Sequence, residues 1–253
     1  MKIDTPTLIH IPALRVLWRE AFGDSEAFLD RFFEVAFSPD RCRAVFDCDT
    51  PAAALYWFNG AYEGGRVAYL YAIATAKAYR GRGICTALME NTHRHLATLG
   101  YTGTVLVRGA PSLFAFYEKM GYSVCGTVHE FCCSAEKEGV PIQKIDEKEY
   151  ETLRKAFLPR GGIVQGKESI RFLHTEASFY TGDGFLLAAK KEDEHLHGIE
   201  LLGDSAKAPF ILHSLGCTEG CFRAPLGEKP FAMYYPLQDS SAPPPAYLGL
   251  AFD

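Results

Sequence analysis

The sequence has no uninterrupted run of about 18 apolar residues, the length that would predict a membrane-spanning helix. Its N-terminus also lacks a long apolar stretch after a basic start, so secretion is not expected. There is no run of lysines and arginines, and the formal net charge is -5, which argues against general nucleic-acid binding. We therefore expect a cytoplasmic globular protein with neither a nucleic-acid nor a membrane partner.

The eight cysteines include no Cys-x-x-Cys pair and are spaced irregularly. This distribution predicts free, mostly buried thiols in a reducing compartment. Two alternatives stay open: a zinc site made by Cys217, Cys221 and His213, and a redox pair made by the adjacent Cys132 and Cys133. The zinc alternative does not match the ligand number or spacing of a four-ligand module, so no metal site is predicted.

Apolar residues are abundant enough for sizeable cores. Hydrophobic residues make up 48% and aromatic residues 13% of the 253 residues. A chain of this length accommodates one large or two modest domains. The polar, turn-prone stretch Ser134–Pro141 predicts a linker. We therefore predict one domain over residues 1–135 and a second over residues 136–253.

The most informative segment is a short apolar strand, Tyr69–Thr75, followed by Arg80-Gly-Arg-Gly-Ile-Cys85 and a helical pattern up to Leu99. Gly81 and Gly83 allow a tight turn, and the first N–H groups of the following helix have no intrahelical partner. Such groups bind anions, and the two flanking arginines favour a phosphate or pyrophosphate. The segment lacks the third glycine of a dinucleotide loop and the Gly-Lys-Ser/Thr of a Walker loop, so neither nucleotide site is expected.

A second segment repeats the order of strand, turn and helix. Thr102–Arg108 is rich in β-forming residues, and Gly109–Ser112 supplies a turn with Ser112 as the helix N-cap. The helix is predicted over Leu113–Met120 and ends at Gly121.

These two segments resemble the two signatures of the GNAT superfamily of N-acetyltransferases. The acetyl-CoA loop of that family, Arg/Gln-x-x-Gly-x-Gly/Ala, is similar to Arg80-x-x-Gly83-x-Cys85, with a cysteine in the last small position. The second signature, a tyrosine followed four residues later by glycine and an aromatic residue, is similar to Tyr117–Tyr122. The resemblance implies a mixed-sheet α/β acyltransferase fold with acetyl-CoA as the cosubstrate.

The resemblance also implies roles for individual residues. In the family, the strand backbone binds the pantetheine, the loop binds the pyrophosphate, and the tyrosine donates a proton to the departing thiolate. These roles would fall to Ile73, Ala74 and Thr75, to Arg80, Gly81, Arg82, Gly83, Ile84, Cys85 and Thr86, and to Tyr117, respectively. Tyr117 has a plainer alternative as a core aromatic residue. Ser112 stands near a family asparagine and either replaces its hydrogen bond to the cofactor or serves as an N-cap only.

The sequence does not supply an obvious general base. Many family members carry a glutamate on the strand before the loop, whereas the strand here has no carboxylate. Tyr69 and Tyr71 occupy alternate positions on one face of that strand. They either line the acceptor cavity or simply pack against their neighbours.

Two helices precede the cofactor motifs. An amphipathic helix is predicted over Ile11–Phe22, and a second helix, capped by Ser25 or Asp24, runs to about Phe37. In the family, the first two helices border the acceptor site, which would place Trp18, Phe22, Asp24 and Glu26 near the acceptor. The same residues are explained more simply as a helix core and a capping turn. Strands are expected near Arg43–Phe46 and Ala53–Phe58, with a turn at Asn59-Gly60 before the next β segment.

The second half of the chain parallels the first in the order of its elements. Helices are predicted at Ile145–Phe157, Ser169–Ala177 and Ala208–Leu215, and strands at Gly184–Lys190, His195–Leu202, Cys221–Ala224, Pro230–Leu237 and Ala246–Phe252. Phe231-Ala-Met-Tyr234 also resembles Phe114-Ala-Phe-Tyr117. Since no Arg-x-x-Gly-x-Gly loop precedes its short helix, we interpret this half as a smaller, degenerate GNAT-like lobe without a cofactor.

Tandem-lobed relatives, the Eis-like acetyltransferases, share this plan. In those relatives the terminal carboxylate reaches the active site and helps to deprotonate the amine, a role that would fall to Asp253. The alternative is an ordinary edge strand at the end of the chain.

Two functions follow from the resemblance. The first is an N-acetyltransferase that moves an acetyl group from acetyl-CoA to a primary amine, on a small molecule or a peptide, within a ternary complex. The second is a non-catalytic CoA or acyl-CoA sensor, favoured by the missing strand carboxylate. The oligomeric state is not predicted.

Overall fold

The computed structural model of the chain describes residues 1–107, 109, 113–238 and 243–252. The described residues form two compact units. Unit 1 takes in residues from Met1–Leu106, Ala110–Ser123 and Tyr234–Pro243, and unit 2 takes in residues from Val107–Gly109, Val124–Met233 and Pro244–Asp253. The division into domains at residues 135 and 136 remains a prediction.

Unit 1 contains five strands that are hydrogen-bonded neighbours in chain order. They are β1 (Lys2–Asp4), β2 (Cys42–Asp47), β3 (Thr50–Tyr62), β4 (Gly65–Thr75) and β5 (Gly103–Val107). The first three pairings are antiparallel, whereas β4 and β5 are parallel, with Val67 opposite Gly103. A parallel pair requires a crossover connection, and here the crossover contains a helix over Ile84–Thr98. The Arg80–Thr86 segment therefore comprises the end of the loop after β4 and the first turn of this helix.

The helices of unit 1 follow the predicted pattern closely. They are α1 (Ile11–Phe22), α2 (Glu26–Arg31), α3 (Ile84–Thr98) and α4 (Phe114–Lys119). Ser25 caps α2, since its hydroxyl accepts a 3.2 Å hydrogen bond from the Phe28 N–H. The predicted continuous helix to Phe37 is instead α2 followed by a π-helical turn over Phe32–Ala36. Wider turns of this kind occur frequently at functional sites.

The turn predicted at Asn59-Gly60 is wrong. Strand β3 continues through both residues to Tyr62, and Gly60 is paired with Val67 of β4. The Asn59 side chain accepts a hydrogen bond from the Tyr101 hydroxyl, so its polar group is satisfied within the strand. This long-range partner could not be seen in the local Asn-Gly signal.

The described chain after α4 contains eight further strands and three helices. Its further strands are β6 (Ser123–Ser134), β7 (Gln143–Ile145), β8 (Val164–Gln165), β9 (Ser178–Gly182), β10 (Phe185–Glu192), β11 (His195–Gly203), β12 (Glu219–Pro225) and β13 (Lys229–Pro236), and its helices are α5 (Glu147–Phe157), α6 (Lys167–His174) and α7 (Ala208–Ser214). Six of the strands lie side by side in the order β6, β12, β11, β10, β9, β7. Strands β11 and β12 are parallel, and α7 lies in the crossover between them.

The strand predicted over Ala246–Phe252 is wrong. Only Tyr247 takes part in a β-bridge, with Gly162, and the flanking residues form no strand. Their backbone groups bond elsewhere: the Ala246 N–H donates to the Gly161 carbonyl at 2.8 Å, and the Gln165 side-chain amide donates to the Leu250 carbonyl at 2.7 Å. Apolar burial is therefore achieved without a ladder, since Leu248 and Leu250 are both fully buried.

The prediction that the cysteines are all free is also wrong. Cys132 on β6 and Cys221 on β12 lie directly opposite each other, with Cα atoms 4.0 Å apart, and their sulfurs form a disulfide. A sequence separation of 89 residues concealed this pairing. Cys221 is therefore not a free thiolate ligand for zinc, and Cys132 is bonded to Cys221 rather than to Cys133.

Candidate functional site

The loop before α3 depends on two glycines. Gly81 and Gly83 have φ of 73° and 72°, in the left-handed region that other residues avoid. A Cβ atom at either position would meet nothing within 4 Å, so the requirement is conformational rather than steric. The open space beside both backbones leaves room for a ligand.

The N-terminus of α3 is a candidate anion site. Gly83 is its N-cap residue, and the Ala87 N–H donates to the Gly83 carbonyl at 3.0 Å. Glycine has no side chain to cap the helix, and the N–H groups of the first turn have no intrahelical acceptor. Ile84, Cys85 and Thr86 thus place their N–H groups where a phosphate is favoured by both hydrogen bonding and the helix dipole.

Two exposed arginines flank these donors. The Arg80 Nε donates to the Thr75 carbonyl at 3.0 Å, which holds its guanidinium group near the end of β4. The Arg82 guanidinium lies 5.5 Å from the centre of the Tyr79 ring. The Tyr79 hydroxyl in turn donates to Asp47 at 2.6 Å. Both arginines therefore start from anchored positions beside the cradle.

Strand β4 contains a β-bulge just ahead of the loop. Ala54 of β3 faces Ala74, and Tyr56 faces Tyr71, so that Leu55 alone faces two residues of β4. One of these two is Ala72, which has a φ of 47°. A bulge interrupts the ladder and re-aims backbone groups, and Ile73, Ala74 and Thr75 follow immediately. The candidate pantetheine residues therefore lie at a break in regular pairing.

The candidate acid Tyr117 lies on α4 and is only 6% exposed. Burial raises the pKa of its phenol above the usual value, and the nearby Cys85 thiol raises it further. Burial also raises the pKa of Cys85, an effect that the Thr75 hydroxyl opposes. The structure thus brings Thr75, Cys85 and Tyr117, which are predicted from separate motifs, into one neighbourhood. The phenol of Tyr117 therefore keeps its proton at neutral pH.

Two predicted site residues, Ser112 and Asp253, lie outside the described residues. The last described residue, Phe252, packs its ring 5.1 Å from that of Phe172. The roles of Ser112 and Asp253 remain predictions.

The residues considered for the acceptor have structural partners. Trp18 is 2% exposed, and its indole N–H donates to Asp24 at 2.7 Å. Glu26 pairs with Arg15 and Arg19 of α1. These contacts fit the simpler interpretation of a helix core and a capping turn.

Tyr71 is half-buried within a cluster of aromatic rings that the sequence pattern predicts only in part. Its ring lies 5.6 to 6.2 Å from those of Trp18, Phe32, Phe58 and Tyr69. The phenylalanine-rich second helix was the available signal. The rings of Tyr69 and Tyr71 lie 6.2 Å apart on the same face of β4, as their alternate positions predicted.

Residues 3–125 match the family model described as an acetyltransferase (GNAT) domain. This part of the chain is a GNAT acetyltransferase domain. No curated protein sequence matches the chain. In the described residues, no helix is long and apolar enough to cross a membrane.

Solved structures share the fold over both units of the chain. A GCN5-related N-acetyltransferase from Anabaena variabilis superposes with a TM-score of 0.74 at 17% identity, covering 94% of this chain and 73% of its own. A GCN5-related N-acetyltransferase from Kribbella flavida gives 0.70 at 18% identity, with coverage of 93% and 72%. Eis1 from Mycobacterium abscessus gives 0.68 at 12% identity, with coverage of 94% and 74%. The fold shared with these structures therefore extends beyond the residues that match the family model.

Proposed function

We propose that this protein transfers an acetyl group from acetyl-CoA to a primary amine on a small molecule or a peptide. Membership of residues 3–125 in an acetyltransferase family supports acyl transfer in general. The observation that carries the proposal is the uncapped N-terminus of α3, flanked by Arg80 and Arg82 and adjoining the bulge of β4. This arrangement suits a pyrophosphate that continues into an extended arm along β4.

In this proposal the loop and helix residues from Arg80 to Thr86 hold the pyrophosphate. The backbone of Ile73, Ala74 and Thr75 binds the pantetheine, so that the thioester reaches Tyr117. Acetyl transfer requires a neutral amine, a polarised carbonyl and a proton for the sulfur, and positioning contributes much of the rate. Tyr117 would donate that proton to the leaving thiolate, which completes the exchange of a C–S bond for a C–N bond.

The proton of the attacking amine needs a separate acceptor. Strand β4 contains no carboxylate, and Tyr71 is the half-buried polar residue nearest the bulge. We propose the terminal carboxylate of the chain, at Asp253, as the base, on the resemblance to tandem-lobed relatives alone. Ser112 stays a proposed cofactor contact on the same ground.

Calorimetric titration of acetyl-CoA into the wild type and an Arg80→Ala/Arg82→Ala variant tests the cofactor site. Each charge-assisted hydrogen bond contributes about 1.5 to 3 kcal/mol, so the double variant should bind at least about 100-fold more weakly. An Arg94→Ala/Arg171→Ala variant removes the same charge from exposed positions on α3 and α6 and should bind normally. Equal weakening in both variants would indicate a general charge effect and contradict the site.

Thiol release is then followed with acetyl-CoA and a panel of polyamines, aminosugars, amino acids and peptides. Amine-dependent release supports the transferase. Tight binding without release on any amine would favour the acyl-CoA sensor instead. Comparison of acetyl-CoA with longer acyl-CoA thioesters tests the proposed acyl group.

A further inference from the structure

A buried hydroxyl lies next to the candidate acid. Tyr122 follows α4, is 3% exposed, and occupies the aromatic position of the second signature, where a phenylalanine ring would fill the same space. A buried hydroxyl must find hydrogen-bond partners, because leaving it unpaired costs about 1 to 3 kcal/mol. The hydroxyl that distinguishes this tyrosine from phenylalanine must therefore have hydrogen-bond partners among its neighbours.

Two side chains from two other elements satisfy this hydroxyl. His93 Nε2, on α3, and Thr104 Oγ1, on β5, each lie 2.8 Å from the Tyr122 hydroxyl, and they are 3.5 Å from each other. Thr104 is fully buried and His93 is 7% exposed. We call these three residues the Tyr122 network. It links α3, β5 and the end of α4 through bonds shielded from water.

The histidine is held in place from its other face. The Tyr235 ring stacks on the His93 ring at 4.4 Å with an interplanar angle of 14°. Burial lowers the pKa of His93 to about 4, so the imidazole is neutral at physiological pH. The network therefore acts through hydrogen-bond direction and packing rather than through charge.

The same residue, Tyr122, is tied directly to Tyr117. Its backbone N–H donates to the Tyr117 carbonyl at 3.0 Å, and the two rings meet edge to face with centroids 5.7 Å apart. Its hydroxyl, meanwhile, is fixed to the helix whose N-terminus forms the anion cradle. Tyr122 thus connects the candidate acid to the element that would hold the cofactor.

We propose that the Tyr122 network is a positioning device, in which His93 and Thr104 hold Tyr122 so that the Tyr117 phenol keeps a fixed place relative to the N-terminus of α3. The inference rests on the proposed function, because its consequence is a correctly placed general acid. The geometric requirement is strict, since catalytic groups lose efficiency rapidly when they are misplaced by about 1 Å.

Steady-state kinetics of the full chain separates positioning from simple stabilisation. Tyr122→Phe and His93→Leu should lower kcat by about tenfold or more while KM for acetyl-CoA stays within about twofold, because the cradle itself is intact. His93→Gln keeps a nitrogen near the Nε2 position and should retain most of kcat. Tyr101→Phe removes another buried tyrosine hydroxyl bond in unit 1, to Asn59, and should lower Tm without lowering kcat.

Amide hydrogen exchange provides a readout that needs no turnover. In Tyr122→Phe, exchange over Phe114–Lys119 should speed up by about tenfold while exchange in α1 is unchanged. Unchanged exchange in α4 would overturn the proposal whether or not an acceptor is known. Faster exchange with kcat unaffected would overturn the catalytic role. A wild type that releases no thiol on any amine would contradict the proposed function, and the exchange experiment would still decide whether the network holds α4.

Discussion

The two crossover helices, α3 in unit 1 and α7 in unit 2, differ at their N-termini although each connects two parallel strands. Helix α3 has 15 residues and begins after Gly83, with no side chain capping its first turn. Helix α7 has seven residues, includes Pro209 in its first turn, and follows a short turn capped by the Asp204 carboxylate, which accepts from the Ala206 N–H at 3.0 Å. Proline removes a donor and the carboxylate repels anions. The same topology thus leaves the helix N-terminus uncapped in one unit and closes it in the other.

The cations near these two helix N-termini also differ. Arg80 and Arg82 are exposed beside the cradle of α3. Lys207, next to α7, is engaged by the Asp183 carbonyl and by the Asp183 carboxylate at 3.3 Å. In unit 2, therefore, Asp204 and Lys207 are both engaged in local structure at the start of α7. This supports its interpretation as a lobe that binds no cofactor.

The largest expected effect is on kcat, and it should differ between two tyrosines that have similar sequence settings. Tyr117 in Phe114-Ala-Phe-Tyr117 lies on α4, whereas Tyr234 in Phe231-Ala-Met-Tyr234 lies on β13, so the sequence similarity does not extend to the structure. Tyr117→Phe should lower kcat by a factor of about 10² to 10⁴, because the leaving thiolate loses its proton donor. Affinity for acetyl-CoA, measured by calorimetry, should not change.

Tyr234→Phe is the matched control. The Tyr234 hydroxyl donates to the Thr102 carbonyl at 3.3 Å and lies 3.4 Å from the Tyr62 hydroxyl, a structural setting. Its loss should leave kcat within about threefold. Equal rates for Tyr117→Phe and Tyr234→Phe would remove Tyr117 from the mechanism and restore its alternative as a core residue.

Local patterns predicted the elements that depend on local chemistry. Periodicity gave α1 with its exact bounds, the Ser25 cap gave the start of α2, and the glycine-rich loop before α3 was visible as a spacing. The disulfide of Cys132 and Cys221 was not visible, because it depends on which strands become neighbours. Likewise, nothing near Tyr122 indicates that its hydroxyl meets His93, 29 residues earlier in the chain. Pairing across the sheet is a tertiary property that a single sequence does not reveal.

A second prediction concerns the buried polar groups of the two units. Unit 1 buries the neutral Tyr122 network, whereas unit 2 buries an ion pair in which Arg154 Nε and Nη2 donate to Glu200 at 2.7 and 2.9 Å. Glu200→Gln leaves Arg154 buried without its anion and should lower the free energy of unfolding by about 3 to 5 kcal/mol. Urea denaturation measures this loss.

The matched control lies on the same helix as Arg154. Glu151 and Lys155 form an exposed i,i+4 pair on α5 at 3.1 Å. Glu151→Gln should cost no more than about 0.5 kcal/mol, because exposed pairs are screened by solvent. Under conditions where the Glu200→Gln protein stays folded, its affinity for acetyl-CoA should match the wild type. A weakened cofactor site would contradict the division of roles between the two units.

The last prediction concerns a variant in which α3 is preceded by a carboxylate, as α7 is preceded by Asp204. Gly83→Asp places a carboxylate at the N-cap, beside the first-turn N–H groups, where its charge repels a pyrophosphate. Affinity for acetyl-CoA should fall by about 30-fold, equivalent to about 2 kcal/mol.

Gly100→Asp is the control: it has the same charge change and a similar left-handed backbone, with φ of 80°, just after the other end of α3. That variant should bind normally by calorimetry. The reverse change, Asp204→Gly, should leave the stoichiometry at one acetyl-CoA per chain, because Pro209 still removes a donor and the sequence of residues 204–216 contains no arginine. Unchanged affinity in Gly83→Asp would mean that the helix N-terminus is not the pyrophosphate site. A second binding event in Asp204→Gly would mean that the Asp204 carboxylate alone had prevented acetyl-CoA from binding to unit 2.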